Sequence, residues 1–251
     1  MKILVTFAVD AEFAPWRRLR PFRVRKAQGT RVFTANAGDG EINVILTGIG
    51  AARASRAVRL ALEAGADFCI STGLAGSLNP RYPAGEILVA RAVRSESARS
   101  VHCDEGLYDL AVEQGAEPVA KFLSATHILV RAEEKTRNHD DADAVEMESF
   151  AVLAGAHSRG VPAVALRAIS DTAGEDLPLD FNRVLGDDGN VSMPRLLGQL
   201  AAHPLRFPAL LRFGQQSRRA AENLCRFLDR YVVTVARVEQ RRETAVEALA
   251  G

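Results

Sequence analysis

Cysteine is scarce in this 251-residue chain: Cys69, Cys103 and Cys225 are odd in number, scattered and without metal-ligand spacing. That excludes a disulfide framework and fits reduced thiols in a cytoplasmic protein. Charge of one sign is lacking too. Lys and Arg total 32 against 31 Asp and Glu, a formal net charge of +1, so no electrostatic footprint for nucleic acid covers the molecule. No apolar run approaches the ~20 residues that span a bilayer. The apolar start, Met1 to Val9, runs straight into Asp10 and Glu12 and reads as a first strand, not as a secretory signal. His102, His127, His139, His157 and His203 show no metal-ligand spacing, and we expect no metal. Neither a G-x-G-x-x-G nor a P-loop pattern occurs, which argues against a dinucleotide or NTP enzyme.

What is present is an ordinary globular composition, 47% apolar and 25% charged, with enough chain for a sizeable core. Ala163 to Asp171 organises the reading. Six of its first seven residues are apolar, Arg167 being the exception, so it reads as a strand buried on both faces. It ends in Ser170-Asp171 and a polar turn, where ligands bind in open α/β sheets; a plain capping role is the alternative for Asp171. Further strands are expected at 2–9, 42–46, 68–72 and 85–90, with helices at 51–64, 105–116 and 149–157. Such alternation argues for an α/β fold with a mostly parallel sheet. Leu205 to Val238 is basic and reads as a helix. Packing on the body or a partner subunit is the default for such a helix, and its Arg-rich face also suits a membrane surface. We therefore expect a domain over 1–200 and a basic helical extension over 201–251.

Three carboxylates fall at expected strand ends: Glu12, Glu148 and Asp171. Together they suit cleavage of a ribosyl bond to a nitrogen base. That reaction needs a proton for the leaving base, a base to activate the nucleophile, and acceptors for sugar hydroxyls.

Val145-Glu146-Met147-Glu148-Ser149 followed by Arg167-Ala168-Ile169-Ser170-Asp171 resembles the paired signature of the purine and uridine phosphorylase superfamily. Within it the chain is most similar to methylthioadenosine/S-adenosylhomocysteine nucleosidases. Thr47-Gly48-Ile49-Gly50 and Thr72-Gly73-Leu74-Ala75-Gly76 agree, and the resemblance runs from residue 1 to about 180. It implies a three-layer α/β/α sandwich with a distorted central sheet, in a homodimer or higher homo-oligomer. It implies Asp171 as general acid toward the purine N7, Ser170 as its orienting group, and Glu12 as activator of the attacking water. Glu148 would bind the ribose hydroxyls, with Met147 against the sugar. Glu146, Gly73, Leu74 and Ala75 would line the substrate site, and the backbone around Ile128 and Leu129 would hold the base.

Phosphorolysis needs a cationic pocket. Phosphorylases of this superfamily carry Arg and Ser where this chain has Ser71 and Leu74, which favours hydrolysis; Arg53 or Arg17 are the candidate substitutes. No cofactor is expected, phosphate being a co-substrate only in a phosphorylase. The 94–124 segment is shorter than in the nucleosidases and shows no obvious base-stacking aromatics, so the 5′ substituent stays open. Glu133-Glu134-Lys135 and the basic tail also resemble the hopanoid-associated phosphorylase branch, which acts on an adenosylated lipid. A non-catalytic nucleoside-binding module is the alternative from another class.

Overall fold

The computed structural model describes residues 1–27, 30–186 and 192–250. The chain opens with β1 (Lys2–Phe7), α1 (Asp10–Leu19), β2 (Arg23–Ala27), β3 (Thr30–Ala37), β4 (Gly40–Leu46), α2 (Ala51–Glu63) and β5 (Phe68–Ser77). Then follow β6 (Ile87–Ser95), β7 (Ser100–His102), α3 (Glu105–Glu113), β8 (Glu117–Ser124) and α4 (Ala132–Arg137). The remainder is β9 (Ala144–Glu146), α5 (Ser149–His157), β10 (Ala163–Asp171), α6 (Met193–Ala202) and α7 (Phe207–Ala250).

The α/β class and the distorted central sheet are as expected, but the sheet is mixed. Among the described residues five ladders are parallel and five antiparallel. The consecutive strands β2, β3 and β4 are joined by short connections, which can link only antiparallel neighbours. The distortion has a specific form. β5 pairs with β10, and the path β10–β6–β8–β9 returns to β5, so five strands close on themselves while β1, β4, β3 and β2 fan out from the ring.

Side-chain alternation sorts the core into two layers. Ile3, Val5, Phe7, Val164, Leu166 and Ala168 face α1, α3 and α7. Leu4, Ala163, Ala165 and Ile169 face α2 and α5. All nine residues of β10 are buried, as its apolar run predicts. The basic helix after residue 200 is α7, and it packs on the body. Leu224, Phe227, Leu228 and Tyr231 enter the same core as Ile3 and Phe7, each large apolar side chain contributing roughly 1.5–3 kcal/mol. Tyr231 donates to the Leu107 carbonyl at 2.6 Å, and Trp16 Nε1 to Asp229 at 2.9 Å, locking α7 to α3 and α1.

Glu12 corrects the sequence expectation. It lies in the first turn of α1, because β1 stops at Phe7 and the chain turns at once into that helix. Helices α1, α4 and α6 and strands β2, β3, β7 and β8 are also additions to the elements expected.

Candidate active site

Closure of the ring brings the carboxyl ends of β5, β9 and β10 beside the start of α1. There a cavity of about 280 Å³ opens, lined by Glu12, Glu146, Met147, Glu148, Ser170 and Asp171 among others. The carboxylates expected to converge do share one cavity. A second cavity of about 170 Å³ lies against α2 and has no carboxylate among the described residues of its lining.

Each carboxylate is fixed by backbone. Glu12 Oε2 accepts from the Ala8 and Val9 amides at 3.0 and 3.3 Å, and Oε1 from the Leu74 amide at 2.9 Å. Burial nevertheless raises its pKa, opposed by those hydrogen bonds and by the Arg167 charge. Glu148 stands at the N-cap of α5 and accepts from the Gly50 amide at 2.8 Å. Burial, and after it the charge of Glu146, pushes the Glu148 carboxyl up to about 8. Asp171 ends β10. Its Oδ1 accepts from Ser170 Oγ at 2.6 Å and its Oδ2 from the Lys135 ammonium at 2.6 Å.

The glycine turn that closes β5 gains a reason here. A Cβ at Gly73, where φ is +149°, would lie 3.0 Å from Glu12 Oε1, and one at Gly76 would lie 2.9 Å from Asp171 Oδ2. Each glycine clears the space that one carboxylate occupies.

The remaining expected residues divide. Met147, Leu74, Ala75, Ile128 and Leu129 line the cavity; Gly73 sits behind Glu12. The Ile128 amide donates to Asn182 Oδ1 at 2.8 Å and its carbonyl accepts from Asn182 Nδ2 at 2.9 Å, so that residue's own backbone is engaged. Glu146 holds a buried Arg167: its Oε2 accepts from the guanidinium at 2.6 Å and from the Glu148 and Ser149 amides at 2.9 and 2.7 Å. This carboxylate shapes the turn that presents Glu148. Arg17 is paired with Asp10 at 2.6 Å, and neither it nor Arg53 lines the cavity.

Sequence reasoning missed three features. Lys135 entered only through the Glu133-Glu134-Lys135 likeness and was given no role, lying among ordinary surface-type residues. Arg167 did carry one, as the single charge in an apolar strand. The aromatics of the site, Phe181 and Phe213 with ring centroids 5.3 Å apart, come from beyond β10 and from α7, not from 94–124.

The fold and site define an α/β enzyme of the class that builds an acidic, nucleoside-sized pocket at the carboxyl ends of its strands. Residues 2–233 match the model of the phosphorylase superfamily, and the chain belongs to that family. The 5′-methylthioadenosine/S-adenosylhomocysteine nucleosidase of Shewanella putrefaciens is 28% identical over 173 residues, 57% of this chain and 73% of that protein. The solved structure of the nucleosidase of the same name from Campylobacter jejuni superposes with a TM-score of 0.73 at 19% identity, covering 93% of this chain and 99% of that one. A futalosine hydrolase mutant from Helicobacter pylori gives 0.71 at 22% identity, covering 92% and 98%. These two likenesses concern the fold.

Proposed function

We propose that this protein hydrolyses the N-ribosidic bond of an adenosine-type nucleoside and releases adenine. In this reading the bond from C1′ to N9 breaks and its electron pair passes to the purine, while Asp171 passes to N7 a proton taken up with the substrate. Water adds to C1′ and gives its proton to Glu12. Three backbone donors leave one Oε1 lone pair of Glu12 open for that proton. Glu148 accepts from the ribose hydroxyls, Met147 packs on the sugar, and Ser170 orients Asp171. Written this way the reaction needs no cofactor and no metal.

The observation that carries the choice of water is that the described lining holds no lysine or arginine. Among the described residues, four acids, Glu12, Glu146, Glu148 and Asp171, line the cavity and neither Lys nor Arg does. A phosphate dianion needs cationic or amide donors, and the described lining supplies neither a Lys nor an Arg to hold it. The Shewanella putrefaciens relative, named a 5′-methylthioadenosine/S-adenosylhomocysteine nucleosidase, supports the same reading. The experiment is adenine release from a panel of 5′-substituted adenosines, with and without phosphate. The 5-substituted free ribose and no phosphate dependence are expected; the 1-phosphate of that sugar would make the enzyme a phosphorylase, and binding without turnover would make it a nucleoside-binding module.

A lipid-linked adenosine is the second substrate reading. Leu177, Phe181, Leu185 and Phe213 line the same cavity as the carboxylates and give it an apolar wall. Of the seven exposed large hydrophobic residues among those described, five (Met193, Leu197, Leu205, Phe207 and Leu211) lie within 193–211. That stretch also carries Arg195 and Arg206 and no acidic residue, a composition suited to a peripheral membrane contact. Co-sedimentation with anionic vesicles tests it. A cytoplasmic homodimer or higher homo-oligomer, with the carboxylates of the site in 1–200 and the helical extension packed upon that body and lending Phe213 to the cavity, completes the proposal; light scattering reads the subunit number.

A further inference from the structure

Lys135 is the one lysine fully buried among the described residues, and it sits behind Asp171. Its ammonium has three protons and three acceptors: Asp171 Oδ2 at 2.6 Å, the Thr172 carbonyl at 2.8 Å and the Glu175 carbonyl at 2.9 Å. On the other side Ser170 Oγ holds Oδ1, and Gly76 lies so close to Oδ2 that no side chain fits between. The carboxyl is therefore clamped from three directions, and the same ammonium folds the 172–175 turn back over it.

Stability alone does not call for such a pair. A buried ion pair is commonly replaced by apolar side chains of similar volume with no loss of stability. Placing one beside the acid of a reaction is a different matter, because an error of about 1 Å in a reacting group costs on the order of a hundredfold in rate.

We infer that Lys135 is a positioning residue that holds Asp171 in line for proton delivery to the leaving base, an inference that rests on the hydrolase reading above. Lys135 touches neither sugar nor base; it acts through Asp171.

The test compares two leaving groups on the full-length enzyme. Adenine leaves with the help of a proton, whereas the 4-nitrophenolate of a 4-nitrophenyl riboside leaves without one. Lys135→Met should lower kcat for the adenosine substrate by about a hundredfold with KM held within about twofold, and lower the nitrophenyl rate by less than about threefold. Lys135→Arg, which restores a cationic donor, should recover part of the adenosine rate. Equal loss on both substrates, an unchanged adenosine rate, or a rise in KM alone overturns the inference. Should Lys135→Met not fold by circular dichroism, Lys135→Arg and Lys135→Gln carry the same comparison. Asp171→Asn separates the two levels. If it too treats both leaving groups alike, the acid assignment fails; if it discriminates and the Lys135 variants do not, only the inference about Lys135 fails.

Discussion

Replacing Arg167 by Met tests what holds the site's floor together. Both members of the Arg167–Glu146 pair are almost wholly buried, with side-chain exposures of 1% and 0% and a contact of 2.6 Å. Removing the guanidinium strands a carboxylate in the core, which costs about 3–5 kcal/mol. Glu146 keeps the Glu148 and Ser149 amides as donors, so the lower end, about 3 kcal/mol, is expected. For a chain of this length each kcal/mol moves the midpoint by roughly 2–4 °C, giving a fall of roughly 6–12 °C. Glu146→Gln alone should cost a similar amount, since it leaves the cation without its counter-charge. The double variant Arg167→Met/Glu146→Gln should be milder than the sum of the singles by about 2 kcal/mol or more. Urea unfolding of the four proteins measures the cycle. Additivity of the two singles within about 0.5 kcal/mol would show that the pair is not coupled, and the account of the floor would be wrong.

Three further outcomes follow from the same geometry. Glu148 keeps its proton up to about 8 in the native state against an ordinary value of 4.5, so the native state binds more protons than the unfolded chain across that window. Its contribution to stability therefore falls as pH rises from about 4.5 to 8; Glu148→Gln should gain stability relative to the native enzyme between pH 5 and 8 in denaturant titrations, and a difference that stays flat with pH refutes this. Gly76→Ala puts a methyl 2.9 Å from Asp171 Oδ2 and crowds it out of place, so kcat should drop by about ten- to a hundredfold with the far-UV spectrum unchanged. Tyr231→Phe removes the buried hydrogen bond to the Leu107 carbonyl, which keeps its helical partner, and should cost roughly 0.5–1.5 kcal/mol in urea unfolding without changing KM.

Much of the frame was legible because burial on both faces writes an unambiguous pattern. β1, the start of β5 and β10 are apolar runs broken by turns, and α5 follows a clear strand end. β3 hid behind its mixed Thr-Arg-Val-Phe-Thr-Ala-Asn-Ala, where one face meets water. α1 hid because Pro15, which removes a backbone donor, sits within it. Asp171 and Glu148 could be read from their signatures, and they share a cavity. Lys135 could not, since a lysine bound for the interior looks in sequence like one bound for solvent. Phe213 lies too far along the chain for local pattern to link it to β10; only the return of α7 across the body does so.

The two tight glycines give a practical gauge for judging relatives. Codons for Gly73 and Gly76 can each mutate in one step to residues with side chains, and each such step evicts a different acid from its seat. A homologue that has swapped either glycine for a bulkier residue, yet still spells out both acidic signatures, should be suspected of having retired from catalysis. Inspection of two small residues thus screens for pseudoenzymes that a search for the acids themselves would pass as active.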